Sequence, residues 1–203
     1  MSRLYVVRHG ETEWNAQGLL QGSSEVPLNE RGRVQAVSAG VSLKGVVAPG
    51  AVIVSSTLGR AWDTAQAVAH EVEVPVVHAD ARLIERSYGV WEGLTQAERD
   101  ARYPEEVLRW NSRREPRIEG YEGHESVVAR MREALDEWWP RAQGTDLVLV
   151  THGSSGRMLM LSLLGLPTHT HAVGNLENAA WSRLVPVADA PWCLERHNVN
   201  AQA

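Results

Sequence analysis

Two histidine–glycine pairs in this sequence sit among residues suited to handling an anion. The first lies in Arg8-His9-Gly10-Glu11-Thr12 and the second in Thr151-His152-Gly153-Ser154-Ser155. An imidazole is nucleophilic at neutral pH when one ring nitrogen is held as the donor and the other is left free. Arg8 adds a planar fork of donors matched to phosphate oxygens, and Gly10, without a Cβ, is expected to let the backbone approach an oxyanion. Behind the second pair runs a helical stretch, Arg157 to Leu164. Its first N–H groups and its dipole should make an anion site at Gly153 to which His152 adds a donor. Arg60 and Glu85 complete the set: an arginine that could clamp a phosphate, and a carboxylate that could give a proton to a leaving oxygen and later take one from water. Glu92, in the same Arg82-to-Gly93 segment, is the rival for that proton. Each feature taken alone has a plain structural reading: a hydrogen-bonded histidine, a turn, a solvated arginine, a surface ion pair. Their placement argues otherwise.

That placement follows from the elements around them. Leu4–Val7, Ala51–Val54, Val74–Val77 and Leu147–Val150 are short apolar runs rich in β-branched residues, as expected of strands buried on both faces. Helices are expected between them. One begins after Asn29, a plausible N-cap, carries Val34, Val37 and Val41 at helical spacing and ends at Gly45. A second spans Leu58 to Val72 with Ala61, Ala65, Val68 and Val72 inward. Thr95 and Glu98 form a capping-box pattern, and Val128, Met131, Leu135 and Trp138 mark a further apolar stripe. Strands alternating with helices predict a three-layer α/β/α fold with a mainly parallel central sheet, one domain over residues 1–203. In such sheets ligands bind beyond the carboxyl ends of the strands. Arg8 and His9 follow the first strand, Arg60 the second, Glu85 the third and His152 the fourth.

Composition narrows the classes. With 203 residues, 43% hydrophobic and 22% charged, and no apolar run near the roughly 20 residues a membrane span needs, the chain reads as a soluble globular protein. No secretory signal pattern follows Met1, so the cytoplasm is the expected address. Cys193 is the only cysteine, which forbids an intrachain disulfide and a cysteine-cluster metal site; it is expected to be a small packing residue. A net charge of −5 disfavours a nucleic-acid-binding face. Eight tryptophans stand beside no phenylalanine, a bias expected to reflect core and rim filling.

The run Arg8-His9-Gly10-Glu11-Thr12-Glu13-Trp14-Asn15, continuing to Gly18 and Gln21-Gly22, resembles the signature of the histidine phosphatase superfamily, which includes cofactor-dependent phosphoglycerate mutases and broad-specificity phosphatases. The likeness extends through Pro27–Gly32, Ser55–Thr64, Leu83–Gly93, His124-Glu125-Ser126 and Thr151-His152-Gly153. It implies a phosphoglycerate mutase-like fold, with His9 as the phosphorylated nucleophile, Arg8, Arg60 and His152 around the phosphoryl group, and Glu85 as general acid and base. Asn15, Gln21 and Gly22 would line the mouth of the site. No metal or other cofactor is implied, and the ligand would be a small phosphorylated metabolite bound by a monomer or homodimer. Arg86, Tyr88, Arg113 and Arg114 resemble positions at which mutases hold a second charged group, for which 2,3-bisphosphoglycerate would be the cofactor. Against a mutase, Arg114 to Ser126 is short, Gln96 replaces a usual lysine and Ser87 a usual histidine. A phosphatase of small phosphomonoesters is therefore the expected activity and a mutase the alternative, ahead of a non-catalytic phospholigand-binding protein.

Overall fold

The computed structural model describes residues 2–200. One six-stranded sheet, in the order β3-β2-β4-β1-β5-β6, runs through the molecule. Strands β1 (Leu4–Arg8), β2 (Val52–Ser55), β3 (Val77–Ala79) and β4 (Leu147–Thr151) are mutually parallel, while β5 (Trp181–Val187) and β6 (Ala190–Val199) join antiparallel beside β1. The sheet is thus α/β and mostly parallel, as the strand–helix alternation predicts.

Period-two alternation sorts the central strands between two cores. Leu4, Val6, Leu147 and Leu149 pack under α6 (His124–Trp138) and α7 (Gly153–Leu163). Tyr5, Val7, Val148 and Val150 pack under α2 (Glu30–Leu43) and α3 (Gly59–Glu71). A short helix, α1 (Glu13–Ala16), follows β1. Helices α4 (Gln96–Arg102) and α5 (Pro104–Asn111) cover the carboxyl edge of the sheet around a separate apolar cluster of Tyr88, Trp91 and Val107. The Thr95–Glu98 capping box forms as expected. Trp110 packs edge-on to Tyr88 and Trp91 at ring distances of 5.6 and 6.0 Å, so part of the tryptophan surplus builds this cover.

Three expectations need correction, and one element was not anticipated. The third strand is Val77–Ala79, not Val74–Val77, because Pro75 has no N–H for a ladder and Val76 is exposed. Val34, Val37 and Val41 lie on the solvent face of α2. The buried face is instead Gly32, Ala36, Ala39, Gly40 and Leu43, all but the last small residues that let α2 approach α3 closely. A Cβ on Gly40 would come within 2.8 Å of the Glu71 Cβ. The C-terminal hairpin β5–β6 escaped the reading because its prolines and charges mask the alternation. Cys193 lies exposed on β6 and is not a packing residue.

Gly10 also serves a different end from the one expected. A Cβ there would lie 2.3 Å from the Gly32 carbonyl oxygen, and one on Gly32 would lie 1.9 Å from that of Glu11. The two glycines let the loop after β1 press against the first turn of α2, which seats His9. Gly32→Ala is expected to destabilise the fold by about 1–3 kcal/mol, the usual scale of overpacking. Val37→Ala on the exposed face of the same helix should cost less than about 0.5 kcal/mol. Urea denaturation of the two variants makes the comparison, and equal losses would show that the glycine contact is not tight.

Candidate active site

The parallel pairing of β1 with β4 matches Arg8 with Thr151. His9 and His152, the next residue of each strand, therefore emerge side by side, with ring centroids 5.1 Å apart. Arg60 arrives from the first turn of α3, at the end of β2, and Glu85 from the segment after β3. Every candidate residue except His152 lines one cavity of about 220 Å³ at this edge of the sheet: Arg8, His9, Asn15, Gln21, Gly22, Arg60, Glu85, Arg86, Tyr88, Arg113, Arg114 and Gly153. His152 is fully buried directly behind His9.

His9 is tightly framed. Its Nδ1 lies 2.6 Å from the Gly10 carbonyl oxygen, which can only accept, so Nδ1 carries the proton. Its Nε2 then presents a lone pair to the cavity and accepts a 3.3 Å contact from Arg60 Nε. Burial, reinforced by the Arg8 and Arg60 guanidinium groups, holds the His9 pKa well below 6.5. His152 is likewise held well below 6.5, by burial first and then by Arg60. Both rings are neutral at pH 7.

Glu85 takes up part of the anion site expected at the α7 N-terminus. Its own carboxylate occupies that position: Oε1 accepts from the Ser155 N–H, the Ser155 hydroxyl and the Arg86 N–H, and Oε2 from the Ser154 N–H, all at 2.8–2.9 Å. Oε1 is saturated. The second lone pair of Oε2 is the remaining place for a proton. The Ser154 and Ser155 N–H groups at the helix end thus hold the carboxylate that faces His9 across the cavity, while Gly153 itself lines it. Glu92 is committed elsewhere: its two oxygens accept from the backbone N–H groups of Ser23, Ser24 and Tyr88, fixing the loop that carries Gln21 and Gly22.

The arginines divide by how they are spent. Arg60 donates through Nη1 to the Ser24 carbonyl at 2.7 Å and through Nη2 to that of Gly22 at 2.8 Å. It shapes the mouth while its Nε faces His9, and burial lowers its pKa. Arg8 uses Nη1 on the Leu176 carbonyl, and its buried Nε is unpaired among the described residues. Arg86 is buried with Nη1 on the Tyr121 hydroxyl and with Nε and Nη2 unpaired. His152 Nδ1 and Gln21 Oε1 are unpaired too. A buried polar group without a partner costs about 1–3 kcal/mol, more when charged. The unpaired donors among them, on Arg8 and Arg86 in the cavity and on His152 behind it, fit an anionic ligand, whereas Gln21 Oε1 is an acceptor. Asn15 spends its Oδ1 on Thr12 and Asn178, which leaves its Nδ2 available to that ligand.

The outer cavity is also cationic. Arg113, half-buried at a left-handed φ of 57°, and the exposed Arg114 stand at its rim. His124 and Arg157 line it as well and were missed as site residues. Burial, then Arg86, brings the His124 pKa to about 4, and burial with Arg113 brings Arg157 to about 10. His124 was visible in the Glu125-Ser126 motif without an assigned role, and Arg157 was visible only as the start of a helix. Among the described residues no group of three or more His, Cys, Asp or Glu side chains is placed to hold a metal ion. No helix among them is long and apolar enough to cross a membrane.

A parallel-sheet edge bearing two neutral histidines, an arginine cage and a helix-bound carboxylate defines a phosphoryl-handling site. The chain belongs to the histidine phosphatase superfamily (branch 1), whose family model matches residues 4–200. It is 37% identical over 216 residues to a glucosyl-3-phosphoglycerate phosphatase of Mycobacterium tuberculosis (strain CDC 1551 / Oshkosh), covering 98% of this chain and 96% of that one. It is also 37% identical over 199 residues to a probable phosphoglycerate mutase of Yersinia pestis (strain Pestoides F), covering 95% and 88%. A solved mycobacterial glucosyl-3-phosphoglycerate phosphatase in complex with VO3 superimposes with a TM-score of 0.88 at 36% identity, covering 98% of this chain and all of that one.

The depressed histidines predict how stability depends on pH. Below 6.5 the unfolded chain takes up protons on His9, His152 and His124 that the native chain refuses. Stability is therefore full above pH 6.5 and falls as the pH drops from there, by at most about 1.4 kcal/mol per pH unit for each group. Urea unfolding between pH 7 and 5 should show this decline, shallower in His9→Asn. A flat profile would place protonated histidines in the native site.

Proposed function

We propose that this chain is a phosphatase that hydrolyses small phosphomonoesters through phosphorylated His9. The observation that carries the reading is the set of buried, unpaired donors around the unprotonated Nε2 of His9, whose lone pair meets only Arg60 Nε, opposite the open lone pair of Glu85 Oε2. In the first step Nε2 attacks phosphorus, forming a P–N bond as the ester P–O bond breaks. Glu85, protonated at Oε2, gives its proton to the departing alkoxide. In the second step Glu85 takes a proton from water, whose oxygen attacks phosphorus and breaks the P–N bond to release inorganic phosphate. Arg8 Nε, Asn15 Nδ2, Arg60 and His152 Nδ1 would hold the equatorial oxygens, fixed donors at the place where charge spreads in the transition state. With this cage in place the chemistry asks for no metal.

The substrate would be anionic at two points. Beyond the phosphoryl pocket, Arg86 offers two free donors and Arg113 and Arg114 stand at the rim, a fit for a carboxylate. A glucosyl derivative of phosphoglycerate, as in the name of the mycobacterial relative, has that pattern. The protein is expected to lie in the cytoplasm. A mutase is the second reading, favoured by the Yersinia relative and by the same outer arginines. It would require the cavity to retain a second phosphate-bearing molecule such as 2,3-bisphosphoglycerate while water is kept from His9.

A panel of phosphomonoesters with and without EDTA tests the reading. Hydrolysis should survive chelation, and rapid quench should trap acid-labile, base-stable label on the wild type but none on His9→Ala. Loss of activity in EDTA that a divalent ion restores would overturn the metal-free mechanism, and phosphoglycerate isomerisation faster than phosphate release would replace phosphatase by mutase. Glu85→Gln should lose about 10²–10⁴-fold on an alkyl phosphate and far less on p-nitrophenyl phosphate, whose leaving group needs no proton. Equal losses would make Glu85 a structural residue. Arg114→Ala should raise KM for glucosyl-3-phosphoglycerate and leave p-nitrophenyl phosphate unchanged. Equal effects on both would remove the second-anion assignment.

A further inference from the structure

His9 and His152 must face the same phosphoryl group in opposite ways, one offering a lone pair and the other an N–H. Imidazole can do either with either nitrogen, so something must fix the proton on each ring. The contacts that do so involve two residues outside the reacting groups, Ser56 and Asn178.

Ser56 is fully buried at the end of β2. Its Oγ accepts the Leu58 N–H at 3.2 Å and lies 2.8 Å from His152 Nε2. No other acceptor stands within reach of this hydroxyl among the described residues, so its proton goes to Nε2. His152 must then carry its own proton on Nδ1, the buried nitrogen that has no protein partner. Asn178, in the loop before β5, acts on His9 through the backbone. Its Nδ2 reaches the His9 carbonyl at 3.2 Å, the Gly10 carbonyl at 3.2 Å and Asn15 Oδ1 at 3.0 Å. The Gly10 carbonyl is the acceptor of His9 Nδ1–H. Holding it in place keeps the proton on Nδ1 and the Nε2 lone pair toward the cavity. The same amide fixes Asn15 with its oxygen turned away from the site and its nitrogen toward it.

We propose that Ser56 and Asn178 are positioning residues that hold both histidines in the Nδ1–H tautomer, so that His9 presents an unprotonated nitrogen and His152 a donor to the same phosphoryl group. The use of these tautomers rests on the phosphatase reading; the tautomers themselves do not. Ser56 acts on the ring directly and should matter more. Asn178 shares its work with the Ala179 N–H, which also donates to the His9 carbonyl, and with Thr64, which accepts from the Gly10 N–H.

Nitrogen-15 spectra of the histidine rings in the full-length protein at pH 7 test this, with His9 and His152 assigned by their loss in His9→Gln and His152→Gln. In the wild type both rings should show a protonated Nδ1 and an unprotonated Nε2. Ser56→Ala should shift the His152 ring toward the Nε2–H form, leave His9 unchanged and lower kcat/KM by about 10²-fold, the scale of one lost transition-state donor. Ser56→Thr, which keeps the hydroxyl, should restore the His152 signature. Asn178→Ala should mix the tautomers of His9 and lower kcat about tenfold with little change in KM, the sign of a group that matters only as the transition state forms. An unprotonated Nδ1 on either ring of the wild type would overturn the proposal. So would activity losses in the variants with both signatures intact, since that is the mark of a merely structural role. Wild-type protein that shows both signatures and hydrolyses no phosphomonoester would instead overturn the phosphatase reading and leave this inference standing.

Discussion

The parallel pairing of β1 with β4, Arg8 against Thr151, is the constraint from which the rest of the site follows. Two strands in register end together, so the residues after them are neighbours without any side chain having to bring them there. Both strands are fully buried over their apolar residues and lie at the centre of the sheet between two cores. His9 and His152 are thereby fixed by main-chain geometry that could shift only if the core did. The helices inherit the arrangement: α3 and α7 begin just beyond the ends of β2 and β4, and they bring Arg60 and the cradle for Glu85 to the same edge.

Gathering cations at a buried edge is costly, and the way the fold meets that cost explains its shape. Arg60 and Arg8 spend Nη groups on the carbonyls of Gly22, Ser24 and Leu176, so each guanidinium is partly solvated by backbone. Those bonds also pull the surrounding loops over the cavity. Gly22 adopts a φ of 55° where a Cβ would meet the Glu92 carboxylate, and Glu92 in turn anchors the next two residues. Glu85 supplies the carboxyl group of the site, yet it sits on the dipole and N–H groups of α7 and not on an arginine side chain. Its open lone pair therefore stays free of an ion pair that would compete with proton transfer.

Much of this was legible in the sequence, for physical reasons. Strands buried on both faces read as continuous apolar runs, and three of the four parallel strands fall within a residue of the expected bounds, while Pro75 displaced the other. His9, Arg60, Glu85 and His152 could be found because parallel topology puts functional residues at strand ends. Long-range contacts that a linear pattern does not encode were harder. Val34, Val37 and Val41 have helical spacing, but the closeness of α2 to α3 selects the glycine and alanine face for burial. Ser56 lay inside a segment already marked, yet its partner is 96 residues away, and Asn178 reaches His9 across 169. Arg157 gave no signal, because its role is to bind the Thr168, Thr170 and Val173 carbonyls of a loop whose path the sequence does not show.

On the proposed reading the molecule separates the part of the site that would do the chemistry from the part that would select its substrate. The first is built on strand ends and helix starts, elements held by the two main cores, and its donors are buried and fixed. The second is built on the cover made by α4, α5 and the chain leading to α6, which packs around its own small aromatic cluster of Tyr88, Trp91, Trp110 and Tyr121. Arg86 stands at the junction. Its backbone N–H donates to Glu85, its guanidinium lies over the Tyr121 ring at 5.3 Å, and its free donors point the outer cavity toward negative charge. A change in the aromatic cluster would move Arg86 and the rim while leaving β1, β4 and the histidines where they are. The two sets of side chains answer to different cores and meet at the Arg86 N–H, a contact through which a shift of the rim would reach Glu85.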